Sequence, residues 1–125
     1  MESTEGQSSL PVWDREGMLE RIGGDTDIAM AVIEGFLVTI PDQVTVLKDF
    51  LEEGNLNGIT HTAHSLKGVA ATVGGERLRQ VALLIERAGK DGDTETAQNA
   101  FAALKQEFDT LFDVINQSDL NPENG

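Results

Sequence analysis

Apolar residues recur at spacings of three and four along most of the chain, which predicts amphipathic helices rather than strands. A short first helix is predicted over "WDREGMLERIGG", with Asp14 as its N-cap and Gly23-Gly24 as its stop. A second helix begins at Asp25 or Thr26, and we expect Pro41 to kink or restart it because proline lacks a backbone donor. Its apolar positions are Ile28, Val32, Phe36, Ile40, Val44, Leu47 and Leu51.

Three more helices are predicted, separated by short breakers. Asn55 caps a helix that runs to about Val73, and Gly74-Gly75 then reverses the chain. The next apolar stripe is Leu78, Val81, Ala82, Ile85 and Ala88. Asp93 or Thr94 caps the last helix, and its stripe is Ala97, Phe101, Leu104, Phe108, Leu111 and Ile115. Four long helices with short connections predict an all-α fold, an antiparallel four-helix bundle with the short first helix packed across one end.

The ends of the chain are polar. We assign residues 1–11 to a polar linker, residues 12–117 to the bundle and residues 118–125 to a disordered tail. The N-terminus lacks the basic and apolar regions of a signal peptide. No apolar run approaches the roughly 20 residues that span a bilayer, so direct membrane insertion is not expected.

The composition narrows the classes of partner. The net charge is -13, from nine basic and twenty-two acidic residues, so nucleic acid and anionic lipid surfaces are poor partners. There is no cysteine, which removes disulfide and thiolate chemistry.

The helix from Asn55 to Val73 carries a reactive side chain on its outer face. At about 100° per residue, one arc holds the apolar residues Leu56, Ile59, Ala63, Leu66, Ala70 and Val73. His64 lies on the opposite arc with Lys67 and Gly68. An imidazole that is partly neutral near pH 7 can act as a nucleophile, and a cation one turn away can stabilise a transferred phosphoryl group. Gly68 has no core to pack against, which favours close approach by another protein.

The Gly74-Gly75 turn sets the register of the helix pair. A residue on one helix lies level with a residue on the other when their two residue numbers add up to about 150. Glu86 is therefore level with His64. Glu86 either accepts a hydrogen bond from one ring nitrogen, which would fix the tautomer, or is an ordinary solvated glutamate.

The stretch "AHSLKGVAATVGGERL" resembles the signature of histidine-containing phosphotransfer (HPt) domains of bacterial multistep phosphorelays. The flanking segments "WDREGMLERIGGD", "FLVTIPDQVTVL" and "LLIERAGKDGD" agree, so the resemblance covers about Val12 to Gln117. It implies a four-helix bundle whose histidine accepts a phosphoryl group from a receiver-domain aspartate and passes it to another receiver. His64 would then be the phosphoacceptor at Nε2, and Lys67 would balance the phosphate charge. Many members have glutamine where this chain has Glu86.

The resemblance also implies partners and cofactors. Receiver domains of response regulators or of a hybrid histidine kinase would dock on a monomer, and we expect contacts from Thr60, His61, Gly68, Ala71 and Lys90. No nucleotide or metal site is expected in this chain, because the receiver supplies the aspartate and the Mg²⁺. We expect a cytoplasmic protein, either free-standing or the cytoplasmic end of a membrane-bound hybrid sensor kinase.

Three other functions compete with phosphotransfer. A non-catalytic bundle that docks a receiver or another signalling protein would use the same small-residue face. A metal site through His61 and His64 is disfavoured because both histidines point outward and no helix carries a Glu-x-x-His motif. An autonomous kinase or hydrolase is disfavoured because the chain has no glycine-rich phosphate loop and no nucleophile elbow.

Overall fold

The computed structural model describes residues 10–122, and every regular element in that range is a helix. The five helices are α1 (Arg15–Arg21), α2 (Thr26–Glu53), α3 (Leu56–Val73), α4 (Glu76–Lys90) and α5 (Thr94–Asn116). Four of them begin where a polar side chain accepts from free backbone N–H groups of the first turn. These N-caps are Asp14, Asp25, Asn55 and Asp93, as the sequence predicts.

Helices α2 to α5 form the predicted four-helix bundle, in which each helix packs against the next and α5 packs back against α2. The core is built from the inward stripe of each helix. Its largest fully buried side chains are Phe36, Met18, Ile33, Ile40, Leu47, Ile59, Leu66, Leu78, Ile85, Leu104, Leu111 and Ile115. The fold class predicted from the pattern is confirmed.

Helix α1 closes the end of the bundle where α3 reverses into α4. The backbone N–H of Asp14 donates to the carbonyl of Gly74 at 2.7 Å, and Nε1 of Trp13 donates to the carbonyl of Val73 at 2.8 Å. Nη2 of Arg21 donates to the carbonyl of Ala71 at 2.9 Å. These bonds use carbonyls at the C-terminal end of α3, where helical partners run out; the Ala71 carbonyl also accepts from the C-cap N–H of Gly74. The prediction of a short helix across one end is therefore correct.

Helix α2 is continuous at Pro41, so of the predicted kink or restart the restart does not occur. The proline lies on the exposed side, where the carbonyl that loses its donor can meet water. The buried stripe of α2 begins at Ala29 and Ile33, not at Ile28 and Val32. Counting back from Phe36 through an unbroken helix gives steps of three and four to these residues, and Ile28 remains 47% exposed.

Smaller departures occur in the other stripes. Leu56 is the first residue of α3 and is exposed rather than part of the core. Val81 and Phe101 are only partly buried, at the edges of their stripes.

The segment after α5 packs against the bundle. Leu120 and Asn121 are buried, and the carboxylate of Asp119 pairs with Arg15 at 3.0 Å. The expectation of a disordered tail from residue 118 is therefore wrong for residues 118–122. Residues 1–9, which make up most of the predicted linker, and residues 123–125 lie outside the described residues.

Among the described residues, α2 is the one helix long and apolar enough to cross a membrane by length and composition. The sequence analysis expected no apolar run long enough to span a bilayer, and by length and composition α2 does not meet that expectation. Core helices of water-soluble bundles meet the same criterion, and the buried stripe of α2 faces the other helices here.

Candidate functional site

His64 lies in the middle of α3 on the face turned away from the core. Its side chain is 64% exposed, while Ala63 and Leu66 beside it are buried. The outward orientation predicted from the helical pattern is confirmed. An imidazole in this position is accessible to another protein.

Glu86 of α4 faces the His64 ring, as the level register of the two helices predicts. Its Oε2 lies 2.8 Å from Nδ1 of His64, and its side chain is only 3% exposed. Of the two alternatives that the sequence left open, the structure shows the hydrogen-bonded glutamate and not the solvated one. The burial was not predicted, because the register places Glu86 opposite His64 but does not show how far neighbouring side chains cover it.

Two lysines complete the surroundings of the carboxylate. Nζ of Lys67 lies 2.7 Å from Oε1 of Glu86, and Nζ of Lys90 lies 3.4 Å from Oε2. The hydrogen bond from Lys67 is the main reason that the pKa of Glu86 is lowered from 4.5 to about 2, against the opposing effect of burial; His64 and Lys90 also donate to the carboxylate. Glu86 is therefore ionised at neutral pH.

The ionised carboxylate decides which ring nitrogen of His64 is free to react. A carboxylate only accepts hydrogen bonds, so Nδ1 of a neutral His64 carries the proton, and this N–H donates a hydrogen bond to Glu86. Nε2 then bears the lone pair on the exposed side chain. This arrangement orients the imidazole as a nucleophile with a negative charge behind it.

A shallow groove of about 600 Å³ lies beside the ring. Its lining residues are Leu56, Asn57, Thr60, His61, His64, Glu86, Gly89, Lys90 and Gly92. It thus brings three of the predicted partner-contact residues, Thr60, His61 and Lys90, together with His64. Ala71 and Gly68 lie further along α3, outside this groove.

Gly68 is exposed, one turn beyond His64. A Cβ placed there would have no atom within 4 Å outside its own helix, so packing inside the bundle does not require glycine. The lack of any internal packing role agrees with the interpretation that Gly68 leaves room for a partner, which stays a prediction.

Gly89 is a site residue that the sequence analysis missed. It is buried in α4, and a Cβ there would collide with Oγ1 of Thr60 in α3. The two helices therefore approach closely one turn from the His64–Glu86 contact. The register of the two helices could have identified it. Residue 89 is level with residue 61, so a glycine near the apolar stripe of α4 faces the part of α3 that carries His61 and His64.

The structure offers no obvious metal centre in the part of the chain that it describes. Within residues 10–122, no group of three or more His, Cys, Asp or Glu side chains is arranged to hold a metal ion.

Comparison with known proteins agrees with this geometry. The family model for the Hpt domain matches residues 31–113. The chain is similar to the phosphorelay intermediate protein rdeA of Dictyostelium discoideum, with 22% identity over 111 residues that make up 89% of this chain and 44% of that protein. The chain thus spans less than half the length of this relative.

A solved structure shares the fold. The crystal structure of histidine-containing phosphotransfer protein B (HptB) from Pseudomonas aeruginosa PAO1 matches with a TM-score of 0.79 and 20% identity, over 86% of this chain and 93% of that one. The family match covers more than half of the chain, including both helices that carry the His64 site. The chain belongs to the Hpt domain family.

Proposed function

We propose that this chain is a phosphorelay phosphotransfer protein in which His64 takes a phosphoryl group from a receiver-domain aspartate and passes it to a second receiver. The observation that carries this proposal is the exposed imidazole whose Nδ1 is held by a buried, ionised carboxylate. Membership in the Hpt domain family supports the same function.

The transfer step needs no proton to enter or leave. The lone pair on Nε2 of His64 attacks phosphorus, the N–P bond forms, and the P–O bond to the receiver aspartate breaks, so that the aspartate leaves as a carboxylate. Because Nδ1 keeps its proton, the ring gains positive charge as the bond forms. The carboxylate of Glu86, 2.8 Å from Nδ1, stabilises that charge. Transfer to the second receiver reverses these changes and restores the neutral ring.

Lys67 supplies positive charge on the same face. Its side chain is 27% exposed, and its amino group is on Oε1 of Glu86 in the free protein. We infer that it leaves this oxygen to contact the phosphoryl oxygens on Nε2. Lys67 is therefore not an unpaired cation before the reaction, because its amino group is bound to Glu86 in the free protein.

The receiver is proposed to bring the remaining chemistry. The phosphorylated aspartate and the Mg²⁺ that neutralises phosphate charge belong to the receiver, and this chain is assigned no nucleotide or metal site. We infer that receivers of response regulators or of a hybrid kinase dock as partners of a monomer in the cytoplasm. Thr60, His61 and Lys90 would contact the receiver from the groove, and Gly68 and Ala71 from the other side of His64.

The test is direct transfer of labelled phosphate. The chain is mixed with Mg²⁺ and receiver domains from the same genome, each labelled on aspartate by a sensor kinase and ATP. We expect acid-labile label to appear on the chain within minutes and to pass on to a second, unlabelled receiver.

The chain provides a matched control for this test. Lys105→Met changes an exposed side chain of α5, away from the site, and is expected to keep label transfer, whereas His64→Gln loses it. Label on the His64→Gln protein would show that the site is wrong. If no receiver labels the unmodified chain but one binds it, the chain is a docking module instead.

A further inference from the structure

The carboxylate of Glu86 divides its two oxygens between different partners. Oε1 contacts Lys67 of α3, whereas Oε2 contacts His64 of α3 and Lys90 of its own helix. Lys90 lies four residues after Glu86, so both side chains share one face of α4. The contact that orients the imidazole and the contact with Lys90 therefore use the same oxygen.

This division matters when Lys67 moves. Under the proposed function, Lys67 leaves Oε1 for the phosphoryl group, and a carboxylate that is only 3% exposed then loses its closest cation. The positively charged ring still donates to Oε2, but Oε1 is left without its cation, and a buried carboxylate oxygen that loses its partner is disfavoured. Lys90 can prevent this loss, because it already lies 3.4 Å from Oε2 and its 63% exposed side chain is free to move closer.

Charge balance leads to the same conclusion. Two lysines against one carboxylate leave the free site with one surplus positive charge when the ring is neutral. Phosphorylation adds about two negative charges on the phosphoryl oxygens near neutral pH, while the ring gains one positive charge. The phosphorylated cluster is then close to neutral. Without Lys90 the phosphorylated cluster would carry a net negative charge. With an uncharged glutamine at position 86, the cluster would be close to neutral even without Lys90.

We propose that Lys90 is a positioning residue for phosphotransfer, which holds the Glu86 carboxylate against the His64 ring while Lys67 is engaged with the phosphoryl group. The proposal rests on the function proposed above for His64. It makes Lys90 the counter-ion that a carboxylate at position 86 requires and that glutamine does not.

The test is a double-mutant cycle on residues 86 and 90. Transfer rates from a labelled receiver are measured for the unmodified chain, Lys90→Met, Glu86→Gln and the double variant. We expect Lys90→Met to slow transfer about threefold to tenfold in the Glu86 protein, and by less than about twofold in the Glu86→Gln protein. Lys105→Met is the matched control, since Lys105 forms an exposed pair with Asp109 four residues later in α5, and it should leave the rate unchanged.

A second readout follows the imidazole without any receiver. Imidazole ¹⁵N spectra of the free protein report the fraction of His64 with its proton on Nδ1. A combined Lys67→Met, Lys90→Met protein should lose this preference more than the Lys67→Met protein does, because Lys90 is then the last lysine on the carboxylate. An unchanged tautomer in that pair would overturn the proposal.

The outcomes separate the two proposals. Equal slowing by Lys90→Met with Glu86 and with Gln at position 86 would mean that Lys90 acts on the phosphate or the receiver, and would overturn the positioning role alone. No transfer to the unmodified chain would overturn the function of His64 and the role of Lys90 with it.

Discussion

The amino group of Lys67 lies 2.7 Å from Oε1 of Glu86, so the lysine expected to hold phosphate is bound to a carboxylate in the free protein. Both side chains are largely shielded from water, with Glu86 3% and Lys67 27% exposed. The pair links α3 to α4 and holds the cation on the same carboxylate that orients the reactive ring.

This pairing predicts a specific pH dependence of stability. Glu86 titrates at about 2 in the folded protein and near 4.5 when unfolded, so its contribution is present above about pH 4.5 and is lost as the pH falls toward about 2. The expected size is about 3 kcal/mol in the free energy of unfolding. Urea unfolding of the unmodified chain and of Glu86→Gln across this range measures it. The two curves should converge at low pH, and parallel curves would contradict the assigned pKa.

Replacing Gly68 by alanine is expected to raise the stability of the protein and to slow its reaction with a receiver. Gly68→Ala should raise the free energy of unfolding by about 0.5–1 kcal/mol, because alanine is the better helix former and the new Cβ meets nothing. The same change should slow transfer from a receiver. Labelling of His64 by phosphoramidate, a small donor, should stay unchanged.

Gly35→Ala is the control for that comparison. Gly35 also lies in a helix with open space around its Cβ position, but in α2 rather than beside His64. It should give a similar gain in stability with normal transfer. Slower transfer in this variant too would show that helix stiffness, and not clearance at residue 68, is responsible.

Replacing Gly89 by alanine is expected to lower the stability of the protein, in contrast to Gly68→Ala. Gly89→Ala should lower the free energy of unfolding by about 1–3 kcal/mol, because the Cβ overlaps Oγ1 of Thr60 and pushes α4 away from α3. The His64–Glu86 contact should lengthen as a result, which ¹⁵N spectra of the imidazole would detect. Thr60→Ala in the same protein removes the obstructing oxygen and should restore part of the stability. No loss in the single variant would argue against the close approach.

The segment after α5 predicts a measurable contribution to folding. Leu120→Ala should lower the free energy of unfolding by about 2 kcal/mol, because the side chain is buried against the bundle. Val38→Ala, at a position that is 69% exposed, should change it little. Equal effects of the two substitutions in a urea titration would show that residues 118–122 do not pack as described.

The starts of the helices and the level register of Glu86 with His64 were predictable because both depend on local signals. Capping residues mark where helices begin, and a two-glycine turn fixes which residues lie level on the helices that it joins. The identity of the carboxylate opposite His64 follows from that register alone.

Other features depend on packing that no local pattern contains. The choice of Ala29 over Ile28 as a core residue follows from the helical rotation between these residues and Phe36, because repeated steps of four residues turn progressively away from the core. The pairing of Lys67 with Glu86 depends on the conformations of two long side chains. The burial of Leu120 requires a space left by helices far away in sequence, so a short polar segment gives no sign of it.

The reactive ring, its carboxylate and both lysines all lie between residues 64 and 90, on two helices joined by a single reversal. Fraying at either terminus of the chain would therefore leave the spacing of these four groups intact. Helices α2 and α5 pack against this hairpin and complete the core, while the hairpin itself carries the chemistry. The residues proposed to contact the receiver lie on the same two helices, so one hairpin would present both the reacting groups and the docking surface.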